Sequence, residues 1–234
     1  NVYATETRQG VVRLEETATT SLGRLILESL RHVPSLFRSA GTVLAIVLMA
    51  VNAIYVTIRG TFFAVLLSEG LSFTAREIGV FPALRSAVIL LVFFFVVPRL
   101  HQERHVRYLV VGLIATLGSL LLLLIAPVRG VWIVALSSLV EAFGAALLAP
   151  YIEGFVTAAV DPHHRARILA VANTVVIALA SPFGWIAGVL SERAKALPFG
   201  LAMAVLALGL TVLLVFNPER PGPARHARAT RSGT

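Results

Sequence analysis

The chain has no cysteine and, over most of its length, almost no charge. Without thiols, disulfides and thiol catalysis are excluded. Only 14% of its 234 residues are Asp, Glu, Lys or Arg, where soluble domains carry roughly a quarter. None of its histidines (His32, His101, His105, His163, His164 and His226) falls inside a long apolar stretch. No nucleophile–base pair or metal-ligand set is therefore available within such a stretch, and neither an enzyme activity nor a cofactor is expected. Adjacent loop histidines such as His163 and His164 are ordinarily solvated. A glycine-rich phosphate loop is also missing, which leaves nucleotide hydrolysis without its usual cradle. The first 20 residues are polar and do not resemble a cleavable leader. The first residue is Asn1 rather than Met, so the sequence reads as part of a longer protein.

What the chain does have is apolar length. It is 57% hydrophobic, with a mean hydropathy of +0.86. Six stretches dominate: Thr42–Leu67, Ile78–Val97, Tyr108–Ala126, Val131–Tyr151, Ile168–Leu190 and Leu197–Phe216. A bilayer core about 30 Å thick is crossed by roughly 20 apolar residues in a helix. Each stretch meets that length, and none shows the polar alternate face of a water-facing helix. The predicted fold is all-α: a polytopic bundle of six transmembrane helices over residues 42–217. A lead-in, 1–41, and a basic tail, 218–234, flank it.

The formal net charge of +8 would suit nucleic acid if the basic residues shared one face. They crowd instead at the ends of the apolar stretches, so nucleic acid is not an expected partner. Fourteen lie on one side of the predicted crossings, including Arg38, Arg99, Arg104, Arg107, Arg165, Arg167 and Arg220. Only Arg76, Arg129, Arg193 and Lys195 lie on the other. By the positive-inside rule both termini are expected in the cytoplasm. In the lead-in, Leu22, Leu25, Ile26, Leu30, Val33 and Phe37 recur at helical spacing, with Arg24, Arg31 and Arg38 seven apart. That pattern predicts an amphipathic helix in the headgroup region, broken at Pro34. The tail after Asn217, rich in Arg, Pro, Gly and Ala, is expected to be unstructured and drawn to anionic lipid.

Three charges remain inside the stretches: Arg59, Arg85 and Glu141. A charge at the centre of a membrane costs about 2.5–3.5 kcal/mol on insertion scales. At a rise of 1.5 Å per residue, all three fall in a common layer about 10–15 Å below the outer surface. One acid and two bases at one depth can pair merely to hold helices together, and Arg85 can also snorkel. The functional reading is a wet cavity on a substrate or ion pathway. Asn52, Tyr55 and Arg59 share one face of the first helix at i, i+3 and i+7. Ser138 shares a face with Glu141, and Asn173 lies two turns before Ser181. The candidate pathway residues are Arg59, Glu141, Asn52, Tyr55, Arg85 and Asn173. Small polar residues at such spacing often serve only helix packing. Glu153, Arg165 and Arg167 are candidates for a cytoplasmic gate, with a plain surface ion pair as the alternative. Stretches three and six hold no charge and are expected to face lipid, a three-plus-three pattern. Pro150 and Pro182 interrupt stretches four and five, and Gly184 to Gly188 forms a small-xxx-small spacing that permits close helix approach.

Three segments carry a resemblance to a known family. They are Leu71-Ser72-Phe73-Thr74-Ala75-Arg76-Glu77-Ile78-Gly79, then Asp161-Pro162-His163-His164-Arg165-Ala166-Arg167 ahead of Ile168, and Ser181-Pro182-Phe183-Gly184-Trp185-Ile186-Ala187-Gly188. Together they make residues 20–217 resemble the C-terminal six-helix half of a major facilitator superfamily transporter. The resemblance implies that stretches one and four are central, cavity-lining helices and that three and six are peripheral. It also implies a missing N-terminal six-helix half as partner. Pro98 stands near the place of the family's cytoplasmic loop glycine, and no Asp follows it, so the loop at Arg99–Arg104 departs from that motif.

The function expected is secondary active transport of a small organic solute or drug, such as efflux, by alternating access. The expected setting is a plasma membrane of bacterial type. Ion or proton coupling is expected, with Glu141 as the proton carrier, because a buried carboxylate among arginines responds to its surroundings. Two arginines against one acid favour an anionic or zwitterionic solute. A six-helix channel or scaffold is the alternative, although no ring of like charge or repeated filter is visible.

Overall fold

A computed structural model describes residues 40–100, 105–159 and 165–216 of the protein. Among the described residues every regular element is helical and there is no strand. Six helices follow one another: α1 (Ala40–Val65), α2 (Ala75–Phe95), α3 (His105–Leu124), α4 (Val131–Ala159), α5 (Arg165–Arg193) and α6 (Leu197–Val215). All six are long and apolar enough to cross a membrane, which makes the protein an integral membrane protein by composition and length. The lead-in helix and the basic tail lie outside the described residues.

The helices begin and end where local chemistry dictates. One wide turn, Leu66–Gly70, closes α1. Ser72 follows in the left-handed region at φ 59°. Thr74 then caps α2: the Glu77 amide donates to its hydroxyl oxygen, while the Thr74 amide donates to the Glu77 carboxylate at 2.8 Å. This reciprocal pair satisfies two otherwise orphaned donors. Pro98 sits in a short 3₁₀ turn beyond α2, and the Arg99 guanidinium donates back to the Phe95 carbonyl oxygen. Pro127 to Gly130 makes the tight turn into α4, with Arg129 left-handed at φ 58°.

The first loop is tied to both other loops at its end of the bundle. The Arg129 amide donates to the Leu71 carbonyl oxygen at 2.9 Å. The Arg129 guanidinium pairs with Glu77 at 3.1 Å, and Lys195 pairs with Glu69 at 2.8 Å.

Helices α1 and α4 form the centre. Their buried side chains, including Leu48, Tyr55, Ile58, Leu147 and Leu148, share one core with Leu109 and Leu120 of α3 and Phe199, Leu206 and Leu213 of α6. Lipid is as apolar as this core, so association rests on close packing rather than on escape from water. Two close approaches are at glycines. A Cβ added to Gly144 of α4 would lie 2.6 Å from Thr116 Oγ1 and 2.9 Å from the Gly112 carbonyl oxygen, both on α3. A Cβ added to Gly209 of α6 would lie 2.8 Å from Val51 of α1.

Helices α3 and α6, expected to be peripheral, pack against the backs of α4 and α1 and keep exposed apolar residues on their other sides, such as Ile114 and Leu121 of α3 and Leu208 and Leu214 of α6. The least buried helices are α2 and α5. One expectation changes here: the Gly184–Gly188 spacing on α5 makes no close contact among the described residues. A Cβ at Gly188 would meet nothing within 4 Å, and one at Gly184 only Thr57 at 3.8 Å.

Candidate functional site

Helices α1, α2 and α4 converge on a single carboxylate. Glu141 projects from the middle of α4 into the bundle, where its side chain is 2% exposed. A buried carboxylate needs hydrogen bonds and opposite charge, and three side chains from two other helices supply them. The Tyr55 hydroxyl of α1 donates to Oε1 at 2.8 Å. Arg85 Nε of α2 donates to Oε2 at 2.6 Å. Arg59 Nη2 of α1 pairs with the same Oε2 at 3.1 Å. Tyr55 and Arg59 can both reach this acid because residues four apart lie on one helix face.

Aromatic packing sets the position of Arg59. Its guanidinium carbon lies 4.5 Å above the centre of the Phe63 ring, a favourable cation–π placement. Phe63 is in turn met edge-on by Phe81 of α2, which also packs edge-on against Phe73 in the first loop. The loop end of α1 and α2 is therefore joined by aromatics above the charged cluster.

Beside the cluster is a cavity of about 330 Å³ lined by α1 and α2 alone. Tyr55, Arg59 and Arg85 supply its polar wall; Val56, Gly60, Phe63, Ala64, Ile78 and Pro82 supply the rest. Glu141 does not line it. The carboxylate stands behind the guanidinium groups, so the cavity meets two cations and no exposed anion. Pro82 adds a further irregularity. It has no N–H to give to the Ile78 carbonyl oxygen, the bond an ordinary residue makes four positions on.

Four of the six residues singled out from sequence thus stand together: Arg59, Glu141, Tyr55 and Arg85. Asn52 is half-buried, and its side chain makes no hydrogen bond among the described residues. Asn173 is exposed on α5, away from the cavity, and Ser181 is exposed as well. Glu153 is exposed, and the side chains of Arg165 and Arg167 lie outside the described residues, as do His163 and His164. Ser138, one turn from Glu141, is buried with no hydrogen-bond partner for its hydroxyl among the described residues. No group of three or more metal-ligating side chains occurs among the described residues.

Sequence reasoning missed Phe63, Gly60, Ile78 and Pro82. Pro82 had a signal, as a proline within an apolar stretch three residues before Arg85. Phe63 also had one, four residues after Arg59 and hence on its face.

No protein-family model, curated protein or solved structure matches this chain.

Proposed function

We propose that this chain forms one wall of a secondary transporter of the major facilitator type, which moves a small organic solute across a membrane by alternating access. The observation that carries the reading is Glu141, held within a span-length helix by Tyr55, Arg59 and Arg85 beside an open cavity. Ionisable groups are costly at such depth and are kept chiefly where they serve a pathway. Discontinuities in the neighbouring helices also support it, because Pro82, Pro150 and Pro182 each remove a ladder hydrogen bond from α2, α4 or α5. Under this reading the exposed sides of α1, α2 and α5 face a second six-helix half. The solute then binds between the halves, and Glu141 carries the coupled proton. The setting is a plasma membrane of bacterial type with both termini in the cytoplasm.

The test uses the full-length protein in sealed proteoliposomes with an imposed pH gradient and a trapped pH dye. Small organic solutes are added one at a time. Transport predicts a saturable, solute-dependent proton flux that Glu141→Gln abolishes and Arg59→Ala reduces at least tenfold. A solute-independent ohmic current, unaffected by the gradient, assigns the protein to channels instead. Unchanged flux in both variants removes the cluster from the pathway.

A further inference from the structure

We infer that the cavity between α1 and α2 takes an amphipathic organic anion, with a carboxylate, sulfonate or phosphate head on Arg85 and Arg59 and an apolar body along α1 and α2. This inference rests on the transporter reading of the same site and narrows its substrate class.

Charge is the first argument. Two guanidinium groups line the cavity, and the acid that partly neutralises them is withdrawn behind them at 2% exposure. The cluster carries one acid and two bases, so one positive charge is uncompensated within it. A cation entering the cavity meets like charge in a setting of low dielectric, where Coulomb terms are large. An anion restores balance.

Donor geometry is the second. Arg85 spends only Nε on Glu141. Its two Nη nitrogens make no hydrogen bond among the described residues. The side chain of Arg85 is 31% exposed, the more open of the two arginines. The free end of a guanidinium is the fork that grips a carboxylate or phosphate through two parallel bonds. Arg59 is held by Phe63 and by Oε2 of Glu141, so it contributes a fixed charge at the side of that fork.

The walls are the third. Val56, Phe63, Ala64, Ile78 and Pro82 are apolar, and among the cavity residues only Tyr55, Arg59 and Arg85 carry polar side chains. A small inorganic ion would leave that surface uncovered, whereas an aromatic or alkyl body covers it. Pockets built this way, mostly apolar with a few convergent polar groups, bind small organic ligands. Gly60 lies in the wall with nothing within 4 Å of where its Cβ would be. The free space therefore reaches the α1 backbone.

The test is equilibrium binding to the full-length protein in nanodiscs of neutral lipid, with radiolabelled benzenesulfonate and phenyl phosphate as probes. Both are ionised at working pH. Benzyl alcohol and benzyltrimethylammonium serve as neutral and cationic competitors of similar body. The expected result is saturable binding of at least one anion, displaced at least tenfold more weakly by the neutral and cationic competitors. Gly60→Leu puts a branched side chain into the cavity from a position where an added Cβ meets nothing within 4 Å, and it is expected to abolish this binding. Arg85→Gln is expected to weaken it at least tenfold. Thermal unfolding of Gly60→Leu checks that the variant remains folded. Equal competition by the three charge types overturns the inference. Undiminished binding in Gly60→Leu, or no saturable binding of either anion, overturns it too. Binding does not depend on transport, so anion binding without solute-driven proton flux would defeat the transporter reading and leave the anion site standing.

Discussion

Helix α4 is held on two sides by opposite physics. Toward α3 it offers Gly144, and the helices close until backbone meets backbone around Gly112 and Thr116. Toward α1 and α2 it offers Glu141, and contact is made through long charged side chains beside open space. The first seam gains its strength from dispersion and tolerates no added atom. The second depends on charge balance and leaves room for another molecule. A membrane bundle that needs both permanence and a place for a guest can separate them onto different faces of one helix.

The largest effect is expected from breaking the charge balance. Glu141→Leu leaves Arg59 and Arg85 without their acid, and loss of one partner from a buried pair costs about 3–5 kcal/mol. Thermal unfolding in detergent should show it. Adding Arg59→Met and Arg85→Met should recover most of the loss, because replacing the entire group by apolar side chains removes the stranded charge. A triple variant no more stable than Glu141→Leu would show that the cluster holds the helices by more than electrostatics.

Next comes Tyr55→Phe, which deletes one hydrogen bond to a charged acceptor without changing shape. A loss of about 1.5–3 kcal/mol is expected. Gly144→Ala should cost a comparable or smaller amount, about 1–3 kcal/mol, the usual penalty for overpacking. Its new methyl meets the backbone of α3, which cannot rotate aside. The smallest effect is expected for the same change at Gly60, on the open side of the comparison. There the methyl meets nothing, and alanine's better helix propensity should raise stability by at most about 1 kcal/mol. Measured side by side, the two Gly→Ala changes should have opposite signs. Equal signs would mean that the two faces are not distinct.

The six helices were legible because the interruptions are so chemically distinct. Runs of Leu, Val, Ile and Ala stop at Ser68-Glu69-Gly70, at Pro98-Arg99 and at Pro127 to Gly130. Helix ends fall within three residues of the apolar stretches except in α4, which continues past Tyr151 to Ala159. Backbone hydrogen bonding does not stop where lipid does. The charged cluster was legible for an energetic reason. Ionised groups are scarce at that depth, so counting helical rise placed Arg59, Arg85 and Glu141 on one level, and Tyr55 followed from periodicity. The same periodicity also selected Asn52, whose side chain has no hydrogen-bond partner among the described residues. A shared face brings a residue to the right side of a helix and not to a partner. Asn173 stands apart from the cluster for a further reason: a polar residue in an apolar helix can point away from the bundle as easily as into it, and α5 leaves that side exposed. Helix neighbours were hidden as well. Charge marks a wet interior, but a dry seam such as Gly112 against Gly144 is written in missing side chains.

The stitching of the loops has a mechanical consequence. Glu69 reaches Lys195, while Leu71 and Glu77 reach Arg129. One short connection thereby clasps the other two, so this end of the bundle behaves as a plate rather than as three independent flaps. Splaying at that rim would have to tear several clasps together. Tilting the plate as a unit, against whatever body lies beside it, tears none.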